Sequence, residues 1–234
     1  MKTKIIYEDK HILVVYKPAG IAVQAAKSME MDVVSELKNY LKSSYVGLVH
    51  RLDQPVEGIL VFAKTSSAAA ALSKQTAAGT MEKEYLAAVL AAEEIQEKAV
   101  LTDYLLKDGK TNTSKVAEAS VKNAKKAVLS YEVKKIVPLE EILSEPETKR
   151  IALLRIQLKT GRHHQIRVQL ANANLPLLGD LKYGSEESKK MSALLKVGNV
   201  ALCAHKLIFK HPKTGKIMEF CVSPKKEILQ NLTV

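Results

Sequence analysis

Cysteine is scarce in this sequence, which contains only Cys203 and Cys221. Two cysteines in a chain with no export signal argue against a disulfide framework and predict free, buried thiols. A zinc site shared with His205 and His211 is the alternative, but the spacing of these four residues matches no common zinc pattern. We therefore predict that the protein binds no metal, and that the two histidines are structural.

Long apolar runs are also missing. Residues 1–10 hold no apolar stretch like that of a signal peptide, and no segment approaches the roughly 20 apolar residues of a membrane-spanning helix. These two absences predict a cytoplasmic protein that does not enter a membrane.

The sequence has no Pro/Gly/Ser-rich linker, no low-complexity stretch and no internal repeat. Its 234 residues are enough to bury a sizeable core. We predict one domain over residues 1–234.

Acidic residues are the scarcer charge. The chain has 36 Lys and Arg against 25 Asp and Glu, a net charge of +11 with a pI near 9.4, as is typical of nucleic-acid binders. Four glutamates predict a solvated acidic loop: Glu140, Glu141, Glu145 and Glu147. Six lysines form a candidate RNA-facing ribbon, although such runs are more often solubilising surface: Lys107, Lys110, Lys115, Lys122, Lys125 and Lys126.

Strand-like segments outnumber helical ones. Asp32 predicts the cap of one helix, and the alanine-rich segment 66–78, followed by Gly79, predicts a second. Because the strands do not alternate regularly with helices, we predict an α+β fold with a large, mostly antiparallel mixed sheet flanked by helices and loops. The predicted strands are 12–16, 58–64, 85–90, 130–136 and 151–158, with a terminal hairpin of 202–209 and 216–222.

The segment 50–53, His-Arg-Leu-Asp, sets one carboxylate beside two basic side chains just before the strand that begins near Gly58. Turns on a rigid scaffold often carry function, which favours a chemical role for Asp53. The alternative is a solvated surface pair of Arg51 and Asp53, which would contribute little.

The segment 160–171 holds a second group of polar side chains. Gly161 ends the preceding strand, which places Arg162 and His163 in the first turn of a helix, where backbone N–H groups favour an anion such as phosphate. Arg167 follows about one turn later and can present two parallel hydrogen bonds to a carboxylate or phosphate.

These segments belong to a larger ordered set. Its members are Lys-Pro-Ala-Gly at 17–20, His-Arg-Leu-Asp at 50–53, Lys-Glu-Tyr at 83–85, Gly-Arg-His-His-Gln-Ile-Arg at 161–167, Gly-Asp-x-x-Tyr-Gly at 179–184, and Ala-His-x-Leu-x-Phe-x-His-Pro at 204–212. In this order and spacing the chain resembles the RluA family of pseudouridine synthases. The resemblance covers most of the chain, and the first segment begins too early to leave room for the N-terminal S4-like RNA-binding domain that many members carry.

The resemblance implies an isomerase that converts uridine in ribosomal or transfer RNA to pseudouridine, without a cofactor. It implies that Asp53 is the catalytic carboxylate, that Tyr85 lies against the target uracil, and that Arg167 pairs with Asp53. Arg51 would help to hold the displaced base or fill its space. Further RNA contacts are implied for His50, Arg162, His163, His164 and Gln165.

The chemistry fits these residue types. The N-glycosidic bond must break, and C5 of the turned uracil must join C1′ of the same ribose. Asp53 either attacks C1′ or removes a ribose proton, and the sequence leaves both open. A nearby Arg167 would favour the ionised form of Asp53, and Tyr85 offers a flat face and a phenol for the C5 proton.

Four positions depart from the family pattern. Val56-Glu57 stands where Thr-Ser is common, and we predict that Glu57 faces away from the pocket. His163 replaces a threonine and Gln169 a histidine, which affects RNA contacts more than chemistry. We predict first that Asp180 forms part of a turn, and a binding role for it is the secondary interpretation. The rival function is a non-catalytic RNA-binding protein or folding helper, and in either case we predict a monomer.

Overall fold

The computed structural model describes residues 1–25, 31–92, 94–139 and 149–233. The four glutamates of the predicted acidic loop therefore lie outside the described residues. The chain divides into two compact units, the first formed by residues 1–84 and 203–224, the second by residues 85–202 and 225–234. The prediction of a single domain stays a prediction.

The elements of the first unit are β1 (Lys4–Glu8), β2 (Ile12–Lys17), α1 (Val33–Leu41), β3 (Gly47–Leu48), β4 (Glu57–Ala63), α2 (Ser66–Ala77), β10 (Leu202–Lys210) and β11 (Ile217–Cys221). In its sheet β1, β2, β4 and β10 are neighbours in that order, with β3 on β4 and β11 on β10. The pairs are antiparallel except β4 with β10, which is parallel.

Two fully buried strands form the centre of this unit. Every residue of β2 and of β4 is buried, and their apolar side chains pack with Leu72 of α2 and Phe209 of β10. The predicted cap of α1 is confirmed, because Asp32 Oδ1 accepts a hydrogen bond of 2.6 Å from the Ser35 backbone N–H.

Gly58 makes the parallel pairing of β4 with β10 possible. Its φ is +130°, and a Cβ at this position would lie 2.3 Å from the carbonyl oxygen of Ala204. Only glycine allows the backbones to approach so closely in this conformation. The strand that follows Asp53 is thereby fixed at its first residues.

The elements of the second unit are β5 (Glu82–Ala91, which begins in the first unit), β6 (Lys98–Asp108), β7 (Thr113–Ala117), β8 (Lys125–Pro138), β9 (Arg150–Leu158), α3 (Gln165–Asn172), α4 (Glu186–Leu194) and α5 (Glu227–Thr233). In its sheet β5, β9, β8, β6 and β7 are neighbours in that order. The pairs β9–β8, β8–β6 and β6–β7 are antiparallel.

The predicted fold class is confirmed as α+β with mostly antiparallel strand pairing. The predicted strands, both early helices and the terminal hairpin are found with boundaries shifted by a few residues. The hairpin of β6 and β7 was not predicted, since its lysine-rich sequence was assigned only to a basic ribbon. Among the residues that the structure describes, no helix is both long enough and apolar enough to cross a membrane.

Candidate functional site

Asp53 lies in the turn that leads into β4. Its backbone carbonyl accepts a hydrogen bond of 3.0 Å from the Val56 N–H, which closes the turn. Leu52 is buried and anchors the segment, whereas Arg51 is exposed and Asp53 is half-buried. The local fold therefore leaves the arginine in solvent and keeps the carboxylate at the edge of the core.

A buried lysine fastens this turn. Lys17 is fully buried, and its Nζ donates to the carbonyl oxygens of Pro18 (3.0 Å), Ile21 (2.8 Å) and Gln54 (3.0 Å). The Gly20 N–H also donates to Gln54, at 2.8 Å. An ammonium group in the interior requires such acceptors, so the Lys-Pro-Ala-Gly segment holds the residue next to Asp53 in place.

Glu57 is a buried carboxylate, 2% exposed, at the start of β4. The hydroxyl of Tyr16, on the neighbouring strand β2, donates a 2.5 Å hydrogen bond to Glu57 Oε2. This contact stabilises a polar group that would be costly to bury alone. The prediction that Glu57 faces away from the substrate stays a prediction.

His50 is a neutral ring. The Val61 N–H donates to its Nε2 at 3.3 Å, so the proton sits on Nδ1, which is buried and has no hydrogen-bond partner in the described part of the chain. Burial, together with the positive charge of Lys83, lowers the pKa of His50 to about 3. Burial also lowers the pKa of Lys83. His50 therefore offers no positive charge to a phosphate. The effect of Lys83 on the pKa of His50 was not predicted from the sequence.

Tyr85 lies in β5 and is 6% exposed. Such burial agrees with a place in the core as well as with a pocket wall. Its predicted position against uracil stays a prediction.

Arg167 is held by Asp180. In α3 its Nε donates to Asp180 Oδ2 and its Nη2 to Asp180 Oδ1, both at 2.7 Å, and both side chains are buried. The guanidinium also lies 5.0 Å from the centre of the Tyr183 ring. The sequence had assigned Asp180 first to a turn, and the structure shows it as a bidentate partner of Arg167.

Asp180 also closes the turn that follows it. Its Oδ1 accepts the N–H groups of Lys182 at 3.0 Å and Tyr183 at 3.1 Å. Burial by itself raises the pKa of Asp180, but the hydrogen bonds and charge of Arg167 and these backbone donors outweigh burial and hold that pKa below its usual value. Asp180 is therefore ionised, and it fixes the orientation of Arg167.

The turn before α3 differs from the prediction. The helix begins at Gln165, and His164 precedes it with a left-handed backbone, φ 54°, and no side-chain cap. The placement of Arg162 and His163 in the first helical turn is therefore wrong. Instead, Gln165 Oε1 accepts hydrogen bonds from the Arg162 N–H at 2.9 Å and the Thr160 hydroxyl at 2.8 Å. The proposed phosphate site at a helix N-terminus loses its basis for these two side chains.

The remaining predicted RNA-binding residues of this segment have protein partners. Arg162 is exposed, and its Nε donates to the Lys126 carbonyl at 2.9 Å. His163 and His164 stack with ring centres 3.7 Å apart, and both bind neighbouring side chains. Gln169 is fully buried and donates to Asp103 at 2.6 Å, so this departure from the family pattern serves the core.

The predicted lysine ribbon is exposed throughout. It runs along the β6–β7 hairpin, the loop after it and the first residues of β8. The exposed members are Lys107, Lys110, Lys115, Lys122, Lys125 and Lys126.

The two histidines predicted to be structural both bind loops of the first unit. His205 Nδ1 lies 2.5 Å from the Val222 carbonyl. His211 Nε2 donates to Asp9 at 2.8 Å, and its Nδ1 accepts from the N–H groups of Lys213 and Thr214. Both cysteines are free thiols, as predicted. Cys203 is buried, but Cys221 ends β11 with its side chain exposed, so its predicted burial is wrong. Within the described ranges, no three His, Cys, Asp or Glu side chains are grouped so as to hold a metal ion.

Comparison with known proteins identifies the family. Residues 11–172 match the profile of RNA pseudouridylate synthases. The tRNA pseudouridine synthase C of Haemophilus ducreyi is 32% identical over 220 residues, which cover 92% of this chain and 88% of that protein. The ribosomal large subunit pseudouridine synthase D of Zymomonas mobilis is 34% identical over 228 residues, covering 93% of this chain and 68% of that protein.

Solved structures agree on the fold. The human RNA pseudouridylate synthase domain containing 1 superposes with a TM-score of 0.75 at 19% identity, covering 94% of this chain and 82% of that one. The human domain containing 4 gives 0.71 at 21% identity, covering 97% and 91%. The chain belongs to the RNA pseudouridylate synthase family, and its predicted class, an isomerase acting on RNA, is confirmed.

Proposed function

We propose that this protein converts specific uridines of ribosomal or transfer RNA to pseudouridine, with Asp53 as the catalytic carboxylate. The observation that carries the proposal is the Asp53 turn, which the buried Lys17 ammonium fastens one residue further on, at Gln54. Relatives named for tRNA and for the large ribosomal subunit support the two RNA classes.

The target uridine has to leave its stack or base pair before it reaches Asp53, at a cost of about a few kcal/mol. Arg51 is suited to the vacated space because it is exposed and lies two residues from Asp53. In this proposal Arg51 offsets part of the flipping cost, and the exposed lysines contact phosphates.

The reaction breaks the bond between N1 and C1′ and forms one between C5 and C1′. The proton on C5 leaves and N1 gains one, so the product is an isomer. Asp53 acts either by attack on C1′ or by removal of a ribose proton, and both routes require its ionised form.

Tyr85 and Arg167 complete the proposed catalytic group. Tyr85 supplies the face for the detached uracil and a phenol for the C5 proton. Arg167 pairs with the ionised Asp53 in this proposal, and its orientation is set by the two 2.7 Å bonds to Asp180.

The proposal requires no metal or redox cofactor, since nothing is oxidised and no group is imported. We also propose that the protein is a monomer and that it acts in the cytoplasm.

The test is tritium release from unmodified RNA that carries 5-tritiated uridine, with Asp53→Asn beside the wild type. We expect release by the wild type and a loss of about 10²-fold or more in the variant, whose shape is unchanged. The matched control is Glu186→Gln on the exposed surface of α4, which should release tritium as the wild type does.

Full release by Asp53→Asn would overturn the role of Asp53. RNA binding by the wild type without release would favour the non-catalytic RNA-binding protein, and free uracil among the products would indicate a hydrolase.

A further inference from the structure

The tip of the β6–β7 hairpin is fastened to the turn that precedes α3. His163 Nδ1 lies 2.9 Å from the Ser114 hydroxyl, and His163 Nε2 lies 3.1 Å from Asn112 Oδ1. Because an amide oxygen only accepts, Nε2 carries the proton and donates to Asn112. Nδ1 forms the second hydrogen bond, with the Ser114 hydroxyl. One imidazole thus binds two residues of the hairpin.

A second set of contacts fastens the same tip. The Tyr183 hydroxyl accepts the Ser114 N–H at 2.8 Å and lies 2.6 Å from His164 Nδ1. Lys182 Nζ donates to the Asn112 carbonyl at 3.0 Å. The His163 and His164 rings stack with centres 3.7 Å apart, so the second set of contacts adjoins the first.

The fastened tip carries positive charge. Ser114 is buried, and across the hairpin it pairs with Lys107, whereas Lys115 follows it and Lys110 lies in the connecting turn. All three lysines are exposed. The pairing of β6 with β8 ends at Leu105, so beyond that residue the hairpin has only two strands. Two strands alone are marginally stable, so the position of these ammonium groups depends on the side chains that bind the tip.

We infer that His163 is a positioning residue that holds the lysine-bearing hairpin ready for the RNA backbone and does not itself bind phosphate. Both of its ring nitrogens are occupied by the hairpin, and one ring face is covered by His164. Holding the lysines before binding removes part of the ordering cost of association. The inference rests on the proposed function, which supplies RNA as the ligand.

The test is a double-mutant cycle on the full-length protein, with Kd for unmodified bulk ribosomal and transfer RNA measured at one fixed salt concentration. The variants are His163→Ala, the pair Lys110→Ala with Lys115→Ala, and all three changes together. We expect the lysine pair to weaken wild-type binding about tenfold, as for one or two phosphate contacts. In the His163→Ala background the same change should weaken binding less than about twofold, since free lysines on a loose hairpin contribute little.

Hydrogen exchange tests the positioning without RNA. In His163→Ala the amides of residues 109–117 should exchange faster, while those of β8 and β9 stay protected. Ser114→Ala removes one of the two hairpin partners of His163 and should change both results in the same direction by a smaller amount, which keeps the test valid if His163→Ala folds poorly. The control is Lys190→Ala, an exposed lysine on α4 whose effect on Kd should multiply with that of His163→Ala.

Multiplicative effects of His163 and the hairpin lysines, or unchanged exchange at 109–117, would overturn the inference. A wild type that binds no RNA would overturn the proposed function, whereas multiplicative effects in a protein that does bind RNA would overturn only the role of His163.

Discussion

At the scale of single residues, this protein buries charged side chains together with the polar groups that stabilise them. Lys17 has three carbonyl acceptors, and Arg167 has a bidentate carboxylate. Each such group is stable only while its partners remain, which makes single substitutions informative.

Asp180→Asn should destabilise the protein by about 3–5 kcal/mol near neutral pH, because it leaves the buried Arg167 charge without its partner. The measurement is the free energy of unfolding in urea. Glu186→Gln breaks an exposed pair with Lys189 and should leave this free energy unchanged.

The same comparison has a pH dependence. The folded-state pKa of Asp180 is lowered, so its contribution is complete above the unfolded pKa of about 4 and is lost as the pH falls through the folded value. The difference between wild type and Asp180→Asn should therefore shrink below about pH 4. A difference that stays constant down to pH 2 would show that Asp180 and Arg167 do not form the charged pair.

Lys17→Met should lower the rate of tritium release by about 10²-fold, because three carbonyl oxygens lose their donor and the Asp53 turn shifts. Single-turnover release at saturating RNA measures the step directly, with RNA affinity and circular dichroism as controls. A folded variant with the wild-type rate would show that the turn keeps its geometry without the ammonium.

Sequence patterns located the charged residues of the site better than the groups that these residues bind. Asp53 and Arg167 stand in segments that the resemblance identified. The bond from Arg167 to Asp180 and the ties of Lys17 to Gln54 span 13 and 37 residues. Contacts over such separations depend on how the chain folds back, which local spacing does not encode.

At the scale of elements, the backbone conformation of one residue decides where a strand or helix begins. Gly58, the second residue of β4, lets the start of that strand lie beside Ala204, and His164 delays α3 to Gln165. A histidine in the left-handed region is uncommon, which is why helical spacing predicted the start of α3 too early. The β6–β7 hairpin was missed because exposed lysines on its strands dominate the pattern.

Gly58→Ala should destabilise the first unit by at least about 1–3 kcal/mol from backbone strain alone, in addition to the clash with the Ala204 carbonyl. Thermal unfolding followed by circular dichroism gives the loss. Gly109→Ala is the matched control, because nothing lies within 4 Å of its added Cβ and its φ is not positive. Equal melting temperatures for the two variants would contradict the close approach of β4 to β10.

At the scale of the whole molecule, the net charge of +11 gives the protein a long-range attraction for RNA. Composition alone was enough to predict this property, since it depends on counts. The surface that uses it depends on where the lysines lie, and the structure puts six of them on and next to one hairpin.

RNA affinity should therefore fall steeply with salt. Each exposed hairpin lysine that contacts a phosphate contributes about 0.7 to 0.9 to the slope of log K against log salt, so Lys110→Ala should reduce the slope by about that amount. Filter binding between 50 and 200 mM salt, roughly the range where such slopes are measured, gives the value. An unchanged slope with Lys110→Ala would place the RNA backbone elsewhere.

The two thiols differ in access, with Cys203 buried and Cys221 exposed on β11. The folded protein therefore presents one cysteine to a maleimide dye without any engineering. Because the sequence contains no tryptophan, the intrinsic emission background is that of tyrosine. A dye on Cys221 and a second dye on the RNA form a distance reporter for substrate binding in an enzyme whose sequence is unchanged.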